Sequence, residues 1–279
     1  MHVSLVNFMG DEPTSINPYQ STSETESEST LPSDAMTPAP GDMASAYLIA
    51  VRVLRIAWPT MLLIYLIVRL PLDTGIAYFG RDVVTVSDLA GYARLQQAAE
   101  FWIGSITSGA LIAAALTALD RRKFGVAHSY GMSLRRYGKI LTTQFLFGLL
   151  LFVGLVCLVV PGVWFGVRAI LAFSIAIDAN VHGPTAIRRS FELTRGRFWE
   201  AAGYAAAVST AILLITVFYM LAVGVFAVLS ETVSWSPVTG DNLWIMEAAC
   251  TLLYFFSASF SAALLSSAYR RLVALEGHE

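Results

Sequence analysis

Charge is what this sequence has least of. Asp, Glu, Lys and Arg make up 14% of its 279 residues, where a soluble domain carries about 25% to cover its surface. That shortage excludes an ordinary soluble domain of this length. Cysteine is nearly absent as well: Cys157 and Cys250 are the two in the chain. Both fall in apolar runs with no second Cys or His at ligand spacing, so a zinc site or a disulfide framework is excluded and buried, inert thiols are expected. The opening "MHVSLVNFMGDEP" has no basic n-region and too short an apolar stretch for a signal peptide, so insertion is expected to use an internal span. No P-loop, dinucleotide fingerprint, HExxH or G-x-S-x-G is present, and no enzyme, metal or cofactor is expected. Residues 1–42 contain no Lys or Arg at all, against seven acids, which leaves 18 basic and 13 acidic residues for the rest.

What is present is apolar and comes in blocks. Hydrophobic residues are 56% of the chain and mean hydropathy is +0.63, so the solvent for most of the chain is lipid. Residues 1–45, with "STSETESEST" and "LPSDAMTPAPGD", are rich in Ser, Thr, Glu and Pro. They hold too little apolar surface to offset ordering entropy and are expected to be a disordered acidic tail. Residues 46–276 then form the expected membrane domain. A helix needs about 20 residues to cross the roughly 30 Å hydrocarbon core. Six runs meet that need: Val53–Leu70, Ala98–Leu119, Ile140–Val160, Gly162–Asn180, Ala201–Leu229 and Trp244–Tyr269. Pro59 should kink the first. Pro161-Gly162 leaves almost no loop between the third and fourth, which predicts a tight hairpin with proline in the first turn of the new helix.

Basic residues set the orientation. Arg121, Arg122, Lys123, Arg135, Arg136 and Lys139 lie between the second and third runs, and Arg188, Arg189, Arg195 and Arg197 between the fourth and fifth. Arg52 and Arg55 enter the first run, and Arg270 and Arg271 end the sixth. The opposite side has only Arg69, Arg81 and Arg94. Both termini are therefore expected in the cytoplasm. The fold class is all-α: a polytopic membrane protein of six transmembrane helices, arranged as three in–out–in hairpins, with two interfacial helices.

Arg168 is the anomaly, a cation in the middle of "PGVWFGVRAILAFSIAIDANVHGP". It sits about 9 Å from the outer end of its helix. Three readings are open: snorkelling to the outer headgroups, an intramembrane pair with Glu100 or Glu247, or contact with a substrate or ion. Asp178 and His182, four apart, share a helix face at the other end but have no visible nucleophile or further ligand. After Pro184, Ile187, Phe191, Thr194 and Phe198 alternate with Arg188, Arg189, Glu192 and Arg195, and Trp199 follows. This is an amphipathic helix suited to anionic headgroups. Val126, Tyr130, Leu134, Tyr137 and Leu141, set against Arg135, Arg136 and Lys139, give the segment before the third run the same character. Ser105, Gly109 and Ala113 in the second run recur every four residues, as do Ser257 and Ser261, and Ala258, Ala262 and Ser266, in the sixth. Such stripes are packing faces first and oligomer faces or polar linings second.

Pro161, Gly162, Arg168, Gly183, Pro184, Arg188, Ser190, Leu193, Thr194, Gly196, Phe198 and Trp199 form a pattern that resembles the membrane domain found with some bacterial glycerophosphodiester phosphodiesterases and its stand-alone relatives. The resemblance implies a bacterial cytoplasmic-membrane protein. It does not imply phosphodiesterase activity, since no catalytic barrel accompanies the six spans. The expected role is a non-catalytic membrane module that engages anionic lipid or a protein partner, a second copy of itself included. Its binding residues are taken as Arg168, Arg188, Arg189, Arg195, Arg197, Trp199, Arg135 and Arg136, and nucleic acid is not an expected partner. The alternative is a small solute or lipid transporter with Arg168, Glu100 and Glu247 along its path.

Overall fold

In the computed structural model the described residues are 43–79, 86–121, 125–157, 159–232 and 243–276, all within one compact unit. Most of the expected acidic tail, residues 1–42, lies outside them. The described residues contain helices and no strand. In chain order they are α1 (Met43–Phe79), α2 (Val86–Ala99), a π-helical turn (Glu100–Gly104), α3 (Ser105–Leu119), α4 (Val126–Arg135), α5 (Tyr137–Cys157), α6 (Val159–Ala169), α7 (Ala172–Asp178), α8 (Gly183–Leu193), α9 (Phe198–Thr232) and α10 (Leu243–Glu276). Six helical stretches are long and apolar enough to cross a membrane: Ala44–Tyr78, Arg94–Leu119, Tyr137–Val156, Val159–Asp178, Phe198–Ala222 and Ala249–Glu276. They coincide with the six apolar runs, although α1 is far longer than expected and carries both Pro59 and Pro71 inside it.

The centre of the bundle is α1, α3 and α10 packed together. On α1 the buried residues include Ala46, Ala50, Val53, Ala57, Met61 and Ile64, spaced at three or four, which places them on one face. They meet Ala110 and Ala113 to Leu116 of α3 and Ala263, Leu264, Ala268 and Leu272 of α10. Lipid gives no hydrophobic drive for helices to associate, so small side chains that allow close approach supply the packing instead. The Ser105, Gly109 and Ala113 stripe does this job. A Cβ on Gly109 would come within 2.5 Å of Ser133 Oγ and 2.7 Å of Ile140.

Contacts at the two ends define the bundle's poles. At one, Arg270 bridges Asp120 at 2.9 Å and Asp178 at 3.1 Å, Arg271 pairs with Glu200 at 2.9 Å, and Ser267 bonds the Ala46 carbonyl. At the other, Arg69, Asp73, Glu100 and Thr251 meet. From Glu100 to Asp120 is about 30 Å along the helix, which matches the hydrocarbon thickness.

Two local departures matter. First, α4 packs along α3, with Ser133 bonded to the Ile106 carbonyl, and Tyr137 at the start of α5 bonds the Trp102 carbonyl of the π-helical turn. The expected apolar face of this segment is thereby split: Tyr130 turns in to bond the Ile64 carbonyl, while Leu134 stays 56% exposed. Second, the fourth span breaks at Ile170–Leu171. Ser190 Oγ donates to the Arg168 carbonyl at 2.6 Å, and a side chain inserted into the backbone ladder is a recognised cause of such breaks. The hairpin between α5 and α6 is as tight as expected, but the break falls between Cys157 and Val159, and Pro161 and Gly162 lie in the first turn of α6 rather than between the helices. A Cβ on Gly154 would lie 2.6 Å from Gly162 Cα, so only glycine at both places lets the helices meet there.

Candidate functional site

Between α1, α3, α5, α7, α9 and α10 lies a cavity of about 890 Å³. Its charged end is built from α1 and the π-helical turn. Arg69 and Asp73, four apart on α1, approach at 3.7 Å, and both side chains are only 13% exposed. Arg69 also pairs with Glu100, and Thr251 of α10 donates to Asp73 Oδ2 at 2.8 Å. Glu100 begins the π-helical turn, a feature common at functional sites because it redirects a side chain. Gly104 makes the room: a Cβ there would sit 2.5 Å from Glu100 Oε2 and 3.7 Å from Arg69 Nη1. That Nη1 is buried without a hydrogen-bond partner among the described residues.

Moving away from this pole, the lining changes character. Gln96 and Gln144 stand near the charges; Thr107, Ser108, Ser257 and Ser261 follow; Leu111, Ile112, Phe147, Phe173, Val208 and Leu265 complete the wall. Along α10 the lining runs from Cys250 to Leu265, about 22 Å. α9 packs on α10 and α6 and makes no extended contact with α5 or α3, so the cavity is flanked by two helices that do not close on each other. The result is an elongated chamber, ionic at one end, with hydroxyl side chains along its middle and apolar side chains over most of the remaining wall. Among the described residues no group of His, Cys, Asp and Glu is arranged to hold a metal.

Arg168 lies elsewhere. Its Nη2 donates to the Phe191 carbonyl at 2.7 Å and its Nε to Thr194 Oγ1 at 3.5 Å. Its guanidinium is also 4.8 Å from the Trp164 ring centre and 5.1 Å from that of Phe191. Arg168 therefore caps the C-terminus of α8, where helix carbonyls lack partners and carry partial negative charge. The expected pair with Glu100 is not what the structure holds, because Glu100 is engaged by Arg69. The Glu247 side chain lies outside the described residues.

The other expected binding residues are distributed around α8 and the basic pole. Arg188 pairs with Glu192 at 3.1 Å. Arg189 bonds Glu276; burial works against its charge, but the Glu276 and Glu192 carboxylates outweigh it and push its pKa up. Arg136 donates to the Asp178 carbonyl at 3.3 Å, while Arg135 is exposed, as is Arg195. Arg197 is partly buried, and Trp199 is 84% exposed. Asp178 is paired with Arg270 and accepts from Tyr269 at 2.9 Å, whereas His182 sits exposed at the start of α8. The structure thus ties Asp178 into an ion network. Sequence reading missed Arg69 and Asp73; their i, i+4 spacing at the edge of an apolar run was the available signal.

No family model, curated protein or solved structure matches this chain. Its geometry alone carries the functional reading.

Proposed function

We propose that this chain is a multi-pass protein of the cytoplasmic membrane, with its basic pole in the cytoplasm, that non-catalytically holds a lipid-like amphiphile in the chamber between α5 and α9. One observation carries the reading: about 890 Å³ of space, charged at the Arg69–Asp73–Glu100 end and mostly apolar along the rest, with Thr107, Ser108, Ser257 and Ser261 among the aliphatic and aromatic side chains. Ligand sites are concave and mostly apolar, with a few placed polar groups, and a headgroup with an acyl chain divides in the same way. The exposed Arg135, Arg188, Arg195 and Trp199 support it by offering the cytoplasmic leaflet a basic, aromatic surface at about 1 kcal/mol per basic residue. The resemblance of "PGVWFGVRAILAF" and the segment after it to the phosphodiesterase-linked membrane domain bears only on the cytoplasmic-membrane placement.

Filling the chamber tests this. Ala258 lines it, so native mass spectrometry of Ala258→Trp should show loss of amphiphile that wild type retains through detergent exchange. Equal retention would refute the reading.

A second reading, transport, rests on the chamber's reach. At Leu265 the lining stops about a turn short of the Tyr269–Arg270 layer, which Asp120 and Asp178 hold shut. A transporter would open there, and thiol labelling of a cysteine placed at Leu265 should rise in Asp178→Asn. Labelling that stays unchanged leaves a static binding chamber.

A further inference from the structure

The charged end of the chamber also carries information about the headgroup. Among the described residues the charged side chains that line it are Arg69, Asp73 and Glu100: two carboxylates against one guanidinium, an excess of one negative charge. Glu100 is 49% exposed at this pole, so a cation arriving from the membrane surface can reach the excess carboxylate. Asp73 is bonded through Oδ2 and Glu100 through Oε1, and among the described residues the second oxygen of each carboxylate has no bonded partner. Arg69 keeps Nη1 unpartnered beside them. Tyr65, Tyr219 and Tyr254 add ring faces to the same chamber, and aromatic rings attract cations. A purely anionic headgroup would instead meet two carboxylates for one guanidinium.

We infer that this pole receives the ammonium group of an amino-bearing amphiphile, held between Asp73 and Glu100, with a neighbouring phosphate oxygen, where the headgroup has one, on Arg69 Nη1. This rests on the chamber reading above and names its ligand class. It also turns the preference away from the anionic lipids that the basic surface of α8 attracts: surface and chamber select different headgroups.

The test uses the full chain in an uncharged maltoside detergent, titrated with lysophosphatidylethanolamine and with lysophosphatidylglycerol of the same acyl chain, and binding read by native mass spectrometry. The expected result is at least tenfold tighter binding of the ethanolamine lipid to wild type. Glu100→Gln and Asp73→Asn should each reduce that preference about tenfold, and Ala258→Trp should remove both lipids. The wild-type preference decides the matter even where a variant fails to fold. Equal or tighter binding of the glycerol lipid, lost in Ala258→Trp, overturns the ammonium inference and leaves the chamber standing. Binding of neither lipid, or binding of both indifferent to Ala258→Trp, overturns the chamber as well.

Discussion

Replacing Arg168 by leucine separates two costs that usually travel together. The guanidinium holds the end of α8 through one good hydrogen bond to the Phe191 carbonyl, a long one to Thr194, and two ring contacts. A hydrogen bond from a charged donor contributes about 1.5–3 kcal/mol, and a cation over a ring about 0.5–2 kcal/mol. Allowing for overlap, α8 should lose about 2–4 kcal/mol of local closure. Yet leucine also removes a cation from an apolar span, which costs about 2.5–3.5 kcal/mol at a span centre and less towards its ends. Global stability should therefore change little while α8 opens far more often. At 1.4 kcal/mol per decade, amide exchange in residues 183–194 should accelerate from about 30-fold to several hundred-fold in Arg168→Leu. The thermal midpoint of the whole chain should move only slightly. Arg168→Lys keeps a donor but loses the planar fork and should fall between. Exchange unchanged in α8 but faster around Glu100 would refute the reasoning, since it would mean that Arg168 pairs with the acid.

Three further outcomes follow from packing and charge. Gly162→Ala places a Cβ 2.8 Å from the Leu155 backbone nitrogen and should destabilise the α5–α6 hairpin by about 1–3 kcal/mol, seen as a lower unfolding midpoint in denaturant. Gly104→Ala drives a methyl into the Glu100 carboxylate and should weaken retention of the proposed amphiphile about tenfold while leaving the fold intact, measured by native mass spectrometry. Asp120→Asn and Asp178→Asn both act on Arg270, so in a double-mutant cycle on unfolding they should couple by at least 0.5 kcal/mol; strict additivity would show that Arg270 does not bridge them.

The spans were legible because each rests on local composition: twenty apolar residues between polar breaks read as a helix whatever its neighbours do. Pro161-Gly162 was legible for the same reason, and the stripe of Ser105, Gly109 and Ala113 because it repeats every turn. What could not be read were the partners. Arg168 and Phe191 meet only because α8 folds back on the broken fourth span, and Ser190 takes part in that break from 22 residues away. Arg69 looked like the last charge of a short first helix. With α1 running on through Pro71 to Phe79, the same residue lies inside the bundle, one turn from Asp73 and against Glu100 of another helix. The amphipathic pattern at Val126–Leu141 was real, but Ser129 and Ser133, both fully buried, allow α4 to pack on α3 and override it.

The most direct measurement places a photoreactive benzoylphenylalanine at Phe147 or Tyr254, which line the chamber, and at Phe152, which faces outward, and identifies the lipid adducts by mass spectrometry. A chamber that holds an amino-bearing amphiphile should yield one defined species at Phe147 and Tyr254 and the bulk lipid mixture at Phe152. The same mixture at all three positions, or no adduct at the two inner ones, would contradict it.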